Sequence, residues 1–300
     1  MNTLSARAQS IILVLISVAL FALISLIAKL LGGEQFGPGV HPLQISAARF
    51  IIAFLAITAS LSFLPISLKN IPWGLHLKRG ISGWSGVSCL FAAAIAIPLA
   101  DANAVSFLSV IVAMALAVPL LGEKVGPKRW SAALLAFLGV LVIIRPGTTA
   151  FHPMALVALM ALVALMAALF IGFEIIFIKQ LSGREPTLRI LFINNLIGAV
   201  ISMVVLTFVW IQPTWQQWIG LSLIGVLMIG VQVTNVMALR LGDASFIAPF
   251  WYATPIFAAL YDYLAFRHVI SGWSSLGVLM IVTGGLIIAY RENASKSEKI

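Results

Sequence analysis

Ionisable residues inside apolar stretches are the first candidates for chemistry, because a charge within a membrane is costly and usually has a function. Arg49 lies about seven residues into such a stretch, roughly 10 Å along a helix axis; it could bind an anionic substrate group, pair with an acid or extend to the interface. Glu174 could bind a proton or a cationic group, with an ion pair to Arg189 as the structural alternative. Asp262, near the end of its stretch, is typical of an interfacial carboxylate.

Uncharged polar groups in the same stretches form a second set of candidates. They must face protein or water, since lipid offers their donors and acceptors no hydrogen-bond partner. Such groups either join neighbouring helices or line a cavity for a substrate. The residues concerned are Ser106, Ser109, Asn194, Asn195 and Asn235.

Deep aromatic residues could stack against a planar ligand, with core packing as the equal alternative. Trp84, Trp251 and Tyr252 lie far from the ends of their stretches. Pro249 and Pro255 flank the last two and predict a broken helix, a feature that lines binding sites in many carriers. We expect the Tyr252 ring to project into a cavity, opposite the two serines named above.

Patterns typical of catalysis, nucleotide binding and metal binding are absent from the sequence. It contains no paired catalytic carboxylates, no Gly-x-x-x-x-Gly-Lys-[Ser/Thr] loop, and no Cys or His pair at ligand spacing. Asp101 and Asp243 stand at the starts of predicted helices, where a carboxylate would cap free backbone N–H groups. We therefore predict no enzymatic activity and no cofactor or metal.

The elements that position these residues are long and apolar. Of 300 residues, 62% are hydrophobic and 9% are charged, against about 45–50% and about 25% in soluble proteins. The continuous runs predict an all-α integral membrane protein rather than alternating strands. Windows of about 20 residues predict ten transmembrane helices near 9–31, 42–64, 78–98, 101–121, 129–145, 153–178, 187–210, 216–239, 244–265 and 271–290.

The charge distribution predicts the orientation in the membrane. With the N-terminus in the cytoplasm, 14 of the 18 Lys and Arg residues fall on the cytoplasmic side. We therefore expect a multi-pass protein of the cytoplasmic (inner) membrane with both termini cytoplasmic. The net charge of +9 arises because acids are scarce rather than from a dense basic block, so we predict no nucleic-acid partner.

The two halves of the chain resemble each other weakly. Residues 101–107 align with 243–249, Pro42 with Pro186, Trp130 with Trp273 and residues 139–145 with 285–291, at offsets of 142, 144, 143 and 146 residues. Because each half contains five helices, an odd number, the second half would enter the membrane inverted relative to the first. We predict repeats at 4–147 and 153–291.

Three stretches of the first half resemble the EamA repeat of the drug/metabolite transporter superfamily. They read Pro-Leu-Ala-Asp-Ala-Asn-Ala-Val-Ser-Phe at 98–107, Leu-Leu-Gly-Glu-Lys-Val-Gly-Pro-Lys-Arg-Trp at 120–130 and Gly-Val-Leu-Val-Ile-Ile-Arg-Pro-Gly at 139–147. The second half departs from this pattern, with Phe-Arg-His-Val at 266–269 in place of Gly-Glu-Lys-Val. The resemblance implies a ten-helix inverted-repeat carrier whose substrate cavity lies between the first four helices of each half.

These observations together predict a secondary transporter that moves a small organic metabolite by alternating access. The aromatic residues favour a planar or heteroaromatic substrate such as riboflavin, with an amino acid, a drug or an S-adenosylmethionine-like compound as alternatives. A membrane-embedded enzyme or a scramblase is the disfavoured class. Other expected partners are the bilayer and a proton or other coupling ion, and the carrier would be a monomer or homodimer. The predicted substrate-binding residues are Arg49, Trp84, Ser106, Ser109, Glu174, Asn195, Asn235, Trp251 and Tyr252.

Overall fold

The computed structural model describes residues 5–64, 66–96, 107–144, 154–266 and 272–297, and these ranges contain helices and loops without a strand. The predicted all-α class is therefore confirmed for these ranges. The helices are α1 (Ala6–Gly32), α2 (Pro42–Ser60), α3 (Trp73–Ala96), α4 (Leu108–Leu121), α5 (Pro127–Ile144), α6 (Met154–Ser182), α7 (Thr187–Val209), α8 (Trp215–Leu241), α9 (Ala244–Ile247), α10 (Thr254–Phe266) and α11 (Gly272–Ser297).

Six helical segments in the described ranges are long and apolar enough to cross a membrane. Their length matters because about 20 apolar residues are needed to span the hydrocarbon core. The chain is accordingly a multi-pass membrane protein. The six segments are Ala6–Gly32, Pro42–Ser60, Leu162–Ser182, Thr187–Val209, Trp215–Leu241 and Ala244–Ala265.

The ninth predicted span is broken, as its prolines predict. After α9 the chain forms a 3₁₀ turn at Ala248–Ala253 and resumes an α-helix at α10. Pro249 lies in the first turn of the 3₁₀ segment, where its missing N–H removes a helical hydrogen bond. The tighter 3₁₀ winding changes the angle between successive side chains, so Tyr252 does not have the direction that an unbroken α-helix would give it.

The helices pack in a regular set of pairs. Helix α1 lies against α8, α3 against α6, α2 against α7, and α5 against α11. Further pairs join α4 to α6, the ninth span to α1, α2 to α8 and α3 to α7. Close approach of α2 and α7 depends on Gly198, where a Cβ would collide with the ring of Phe50.

The described core consists of three clusters of buried hydrophobic residues. The first joins α1, α6, α7, α8 and the ninth span and includes one residue each from α2, α4 and α5. The second joins α1, α2 and α8, and the third joins α4, α5, the ninth span and α11. Trp251 packs against all three clusters. The 3₁₀ turn therefore holds one indole at the junction of the separate packing units.

One end of the bundle is held by charged side chains, and we call it the basic end. It contains the ends of α6 and α8 and the starts of α3, α7 and α9. Lys179 Nζ donates to Leu239 O at 2.8 Å and to Gly242 O at 2.6 Å. Arg240 donates from Nε to Ser182 O at 2.7 Å. Cationic side chains thus satisfy backbone carbonyls that the helix ends leave free.

A buried contact between His76 and Glu185 adds the start of α3 to the basic end. Their Nε2 and Oε2 atoms are 2.8 Å apart, and Arg189 Nη1 lies 3.2 Å from Glu185 Oε1. Both His76 and Glu185 are almost fully buried. We call this group the charged clamp, because it joins α3 to the chain between α6 and α7.

Neutral amides hold the opposite end of the bundle. Gln44 on α2 donates from Nε2 to Ile211 O at 2.7 Å and accepts from Ile211 N at 3.1 Å. Gln217 on α8 donates from Nε2 to Pro38 O at 2.8 Å and is fully buried. We call these two glutamines and their partners the amide clamp. It joins the α1–α2 connection and α2 to the α7–α8 connection and α8.

Candidate functional site

Arg49, Arg79 and Glu174 form a charged trio inside the bundle, on α2, α3 and α6 respectively. The carboxylate of Glu174 attracts both guanidinium groups, and its interaction with Arg79 is the stronger. The trio carries two positive charges and one negative charge. Because charges are costly away from water unless compensated, this arrangement is a candidate functional site.

Arg49 faces the interior of the bundle. It lies on the same stripe of α2 as Ile45, Ala53 and Ile57, which are all buried, whereas Leu55 on the other side of the helix is 59% exposed. The Arg49 side chain is half-buried. Its guanidinium carbon lies 4.6 Å from the centre of the Phe50 ring, and its buried Nε has no hydrogen-bond partner within the described residues.

Arg79 is held more firmly than Arg49. The residue is 1% exposed, and Nη1 donates to Ile190 O on α7 at 2.9 Å. Arg79 stands at the start of the predicted span near 78–98, a position typical of an interfacial basic residue, and its place in the interior was not predicted. A signal for it existed, because Gly83 and Gly86 follow four and seven residues later on the same helical face.

Glu174 projects toward a gap in α3. A Cβ at Gly83 would lie 2.7 Å from the Glu174 carboxyl carbon, so the missing side chain at that position makes room for the carboxylate. The predicted ion pair between Glu174 and Arg189 is wrong. Arg189 contacts Glu185, whereas Glu174 interacts with Arg79 and Arg49. Similar depth in the membrane did not place Glu174 and Arg189 on facing surfaces.

Asn195 joins two helices in this conformation. Its Nδ2 donates to Gln232 Oε1 on α8 at 2.9 Å and to Leu191 O at 2.8 Å. Gln232 Nε2 returns a hydrogen bond to Asn195 Oδ1 at 3.1 Å. The amide of Asn195 is therefore fully engaged within the protein, and Gln232 is a partner that the sequence analysis did not identify.

The remaining neutral polar candidates differ in their surroundings. Trp84 Nε1 donates to Ser202 Oγ at 3.3 Å and so connects α3 to α7. Ser109 is buried in the first turn of α4. Asn235 Oδ1 is buried on α8 without a partner in the described ranges. Ser106, the other predicted binding serine, and Asp101 lie outside the described residues.

Trp251 and Tyr252 occupy different environments in the 3₁₀ turn. Tyr252 is fully buried, and its ring centre lies 6.1 Å from that of Phe107 and 5.9 Å from that of Phe137. Its hydroxyl group has no partner among the described residues. Trp251 is only partly buried and forms an edge contact with Phe21, at 5.5 Å between ring centres. Of the two rings, Trp251 is the more accessible.

The start of the ninth span is capped from the first half of the chain. Glu123, in the α4–α5 connection, accepts hydrogen bonds from Ala244 N at 2.7 Å and Ser245 N at 2.9 Å. Asp243 stands at the N-cap position, but its side chain makes no cap hydrogen bond. The predicted capping role of Asp243 is therefore wrong for this helix, and the sequence analysis gave Glu123 no such role.

A shallow groove of about 400 Å³ lies between α3 and α6. Its wall is apolar apart from one lysine and one serine. It contains none of the predicted binding residues, so it is separate from the charged trio. The lining residues are Leu77, Lys78, Ile81, Ser82, Phe170, Phe173 and Phe177.

Comparison with known proteins gives consistent results. The profile of the EamA-like transporter family matches twice, over residues 8–145 and 158–290. The S-adenosylmethionine uptake transporter of Rickettsia prowazekii is 24% identical over 89% of each chain. The riboflavin transporter of Vibrio cholerae is 28% identical over 93% of this chain and 92% of its own. The pseudopaline exporter of Pseudomonas aeruginosa is 27% identical over 74% of each chain.

A solved crystal structure has the same fold. It superposes with a TM-score of 0.83 over 95% of this chain and 99% of its own chain. The two sequences are 20% identical, so this likeness concerns the fold alone.

Proposed function

Because the chain belongs to the EamA-like transporter family, we propose that it is a secondary transporter of a small organic metabolite in the cytoplasmic membrane. The observation that carries this proposal is the charged trio on α2, α3 and α6. Ionisable groups at mid-depth in a membrane protein mark a transport pathway when they face the interior, as Arg49 does on its buried stripe.

The packing of the helices supports an inverted-repeat architecture with ten spans. In an inverted repeat each span of the first half is equivalent to the span five places later in the second half. This equivalence turns the contact between α1 and α8 into the contact between α6 and α3, and the contact between α4 and α6 into that between the ninth span and α1. The pairs α2–α7 and α5–α11 convert into themselves, when α11 is counted as the tenth span. A two-fold pseudo-symmetry would produce this pattern, and the family profile also matches the chain twice.

Alternating access would use the two clamps in turn. Opening the basic end requires separation of the charged clamp, and opening the opposite end requires separation of the amide clamp. Each clamp joins an element of the first half to an element of the second half. A substrate bound between the halves would therefore face one side of the membrane at a time.

We favour a planar or heteroaromatic substrate, with riboflavin and S-adenosylmethionine-like compounds as the leading choices. The relatives from Vibrio cholerae and Rickettsia prowazekii are named for these two substrates. In this chain Trp251 offers a partly accessible indole at the junction of three packing clusters. An indole face gives a flat ligand additional stabilisation by stacking.

Glu174 is the group at which a coupling proton would bind. It is a carboxyl group in the interior with two cationic neighbours, so its charge state would alter the balance of the trio. In purified proteoliposomes, uptake by the wild type should then increase with an imposed pH gradient, whereas uptake by Glu174→Gln should not respond. Equal responses of the two proteins would contradict this assignment.

Comparative metabolite analysis tests the transporter proposal itself. Cells lacking the protein and cells expressing it are supplied in parallel with riboflavin, S-adenosylmethionine and the amino acids. Intracellular and extracellular amounts are then measured over time. We expect the distribution of at least one compound to depend on the protein and to be reproduced in proteoliposomes. Identical distributions for all compounds would contradict a metabolite-carrier function.

A further inference from the structure

We propose that Arg49 binds a carboxylate of the transported molecule, so that the substrate is a small organic anion or zwitterion. Of the two leading choices, this selects S-adenosylmethionine-like compounds over riboflavin, which is neutral and has no carboxylate. The inference rests on the proposed transport function and specifies its substrate class. It follows from the unequal way in which the charged trio is compensated, and from the position of Arg49 on the interior face of α2.

Arg79 and Glu174 form the internally compensated part of the trio. Arg79 is the stronger of the two electrostatic partners of Glu174. It is also almost fully buried and donates to Ile190 O. The carboxyl group of Glu174 lies in the space left by Gly83 on α3, the helix that carries Arg79. Arg79 is therefore buried and hydrogen-bonded, and the Glu174 carboxyl group lies against the helix that carries it.

Arg49 is the less compensated cation. Its contacts in the described structure are the ring of its neighbour Phe50 and the weaker attraction of Glu174. Its Nε is buried without a hydrogen-bond partner among the described residues, as is Nε of Arg79, but no hydrogen bond comparable to that from Arg79 Nη1 to Ile190 O is formed by Arg49 in the part of the chain that the structure describes. The side chain nevertheless remains partly accessible, unlike that of Arg79. A guanidinium group in this situation retains donors for a ligand that enters the interior.

The charge balance selects a carboxylate. While Glu174 is ionised, two arginines and one glutamate leave the trio with one positive charge. A carboxylate compensates this charge, whereas a phosphate dianion would exceed it and a neutral ligand would leave it in place. The planar guanidinium also matches a carboxylate through two parallel hydrogen bonds. Binding would thus remove an uncompensated charge from the interior and favour the loaded carrier for the crossing step.

The test compares metabolite distributions in cells expressing the wild type, Arg49→Gln, Arg49→Lys and the control Arg184→Gln. The control removes a positive charge from an exposed residue. We expect every compound moved by the wild type to contain a carboxylate. Arg49→Gln should reduce its transport at least tenfold, Arg49→Lys should reduce it less, and Arg184→Gln should leave it unchanged at equal membrane abundance.

A matched pair of ligands makes the test independent of variant folding. The compound identified in the screen and its methyl ester are each offered to wild-type proteoliposomes. We expect the ester, which lacks the negative charge, to be transported at least tenfold more slowly. Equal rates for acid and ester, transport of neutral compounds, or an active Arg49→Gln would overturn the carboxylate site while leaving the transporter proposal intact. If the wild type moves no compound, both proposals fail.

Discussion

Gly83 determines where the Glu174 carboxylate lies. A methyl group at this position would lie 2.7 Å from the carboxyl carbon, so Gly83→Ala must displace it from Arg79 and Arg49. We expect reduced transport and a loss of about 1–3 kcal/mol of stability from overpacking. Uptake assays and thermal melting in detergent would measure the two effects.

The matched control is Gly74→Ala on the same helix, where a methyl group meets no atom within 4 Å. This variant should transport and melt like the wild type. If Gly83→Ala also behaves like the wild type, the position of the Glu174 carboxylate does not matter for transport.

Aromatic neighbours in the 3₁₀ turn should respond differently to substitution. The Tyr252 hydroxyl is buried without a partner in the described ranges, and such a group costs about 1–3 kcal/mol. Tyr252→Phe should therefore maintain or raise the melting temperature, whereas Tyr252→Ala should destabilise the protein by about 3–5 kcal/mol through the cavity it leaves. A transport defect in Tyr252→Phe would show that its hydroxyl contacts the substrate.

Trp251→Ala should instead raise the half-saturation concentration for transport, by up to about tenfold if a stacked ring is lost.

Individual residues were predictable when their sequence context revealed burial. Arg49 and Glu174 stand alone in apolar segments and attract notice for that reason. Arg79 follows Lys78 near a predicted helix start and reads as an interfacial basic residue, although its side chain turns inward to Ile190. The sequence shows how deep a residue lies along a helix, but the partner across the interface depends on how the helices are rotated.

At the level of single elements, the cap of the ninth span offers a direct comparison of two acids. Glu123→Ala removes the acceptor of two backbone N–H groups and should cost about 1–2 kcal/mol. Asp243→Ala removes a half-exposed carboxylate that lies 3.8 Å from Arg129, and such pairs contribute less than about 1 kcal/mol. Thermal melting should therefore show the larger shift for Glu123→Ala. The reverse order would assign the cap to Asp243.

The break in the ninth span was accessible from sequence because proline acts locally, through its own backbone nitrogen. The cap provided by Glu123 could not be predicted in this way, because Glu123 and the N–H group of Ala244 are separated by 121 residues and meet only in the folded protein. Local rules thus identified where the helix is interrupted. The identity of the capping residue required the packing of one half of the chain against the other.

For the whole molecule, the orientation in the membrane is open to a direct test. Reporter fusions within 68–78 and after residue 300 should report the cytoplasm, and a fusion within 146–152 should report the outer side. The reason is the uneven distribution of Lys and Arg between the two sides. A cytoplasmic signal from the fusion at 146–152 would contradict five spans in the first half and the inverted repeat with them.

The overall architecture was predictable because it depends on composition rather than on detailed contacts. Long apolar runs indicated the membrane and the helices, and six segments of the described structure meet the requirement for a span. The number of spans stays a prediction for the shorter apolar helices, such as Leu108–Leu121. Which helices pair, and hence which polar groups meet, depends on shape at small residues such as Gly198.

The different chemistry of the two clamps has a kinetic consequence. Burial lowers the pKa of the His76 imidazole in the closed clamp, so protonation favours the open state. A lower pH should therefore promote opening of the end held by His76 and Glu185, whereas the Gln44 and Gln217 side chains at the other end have no group that titrates. The two half-cycles would then have separate pH responses, and the slower one would set the turnover rate. Detailed balance still requires that neither clamp change the final ratio of substrate across the membrane. Without a coupled gradient, this asymmetry alters how fast equilibrium is reached and leaves the equilibrium itself untouched.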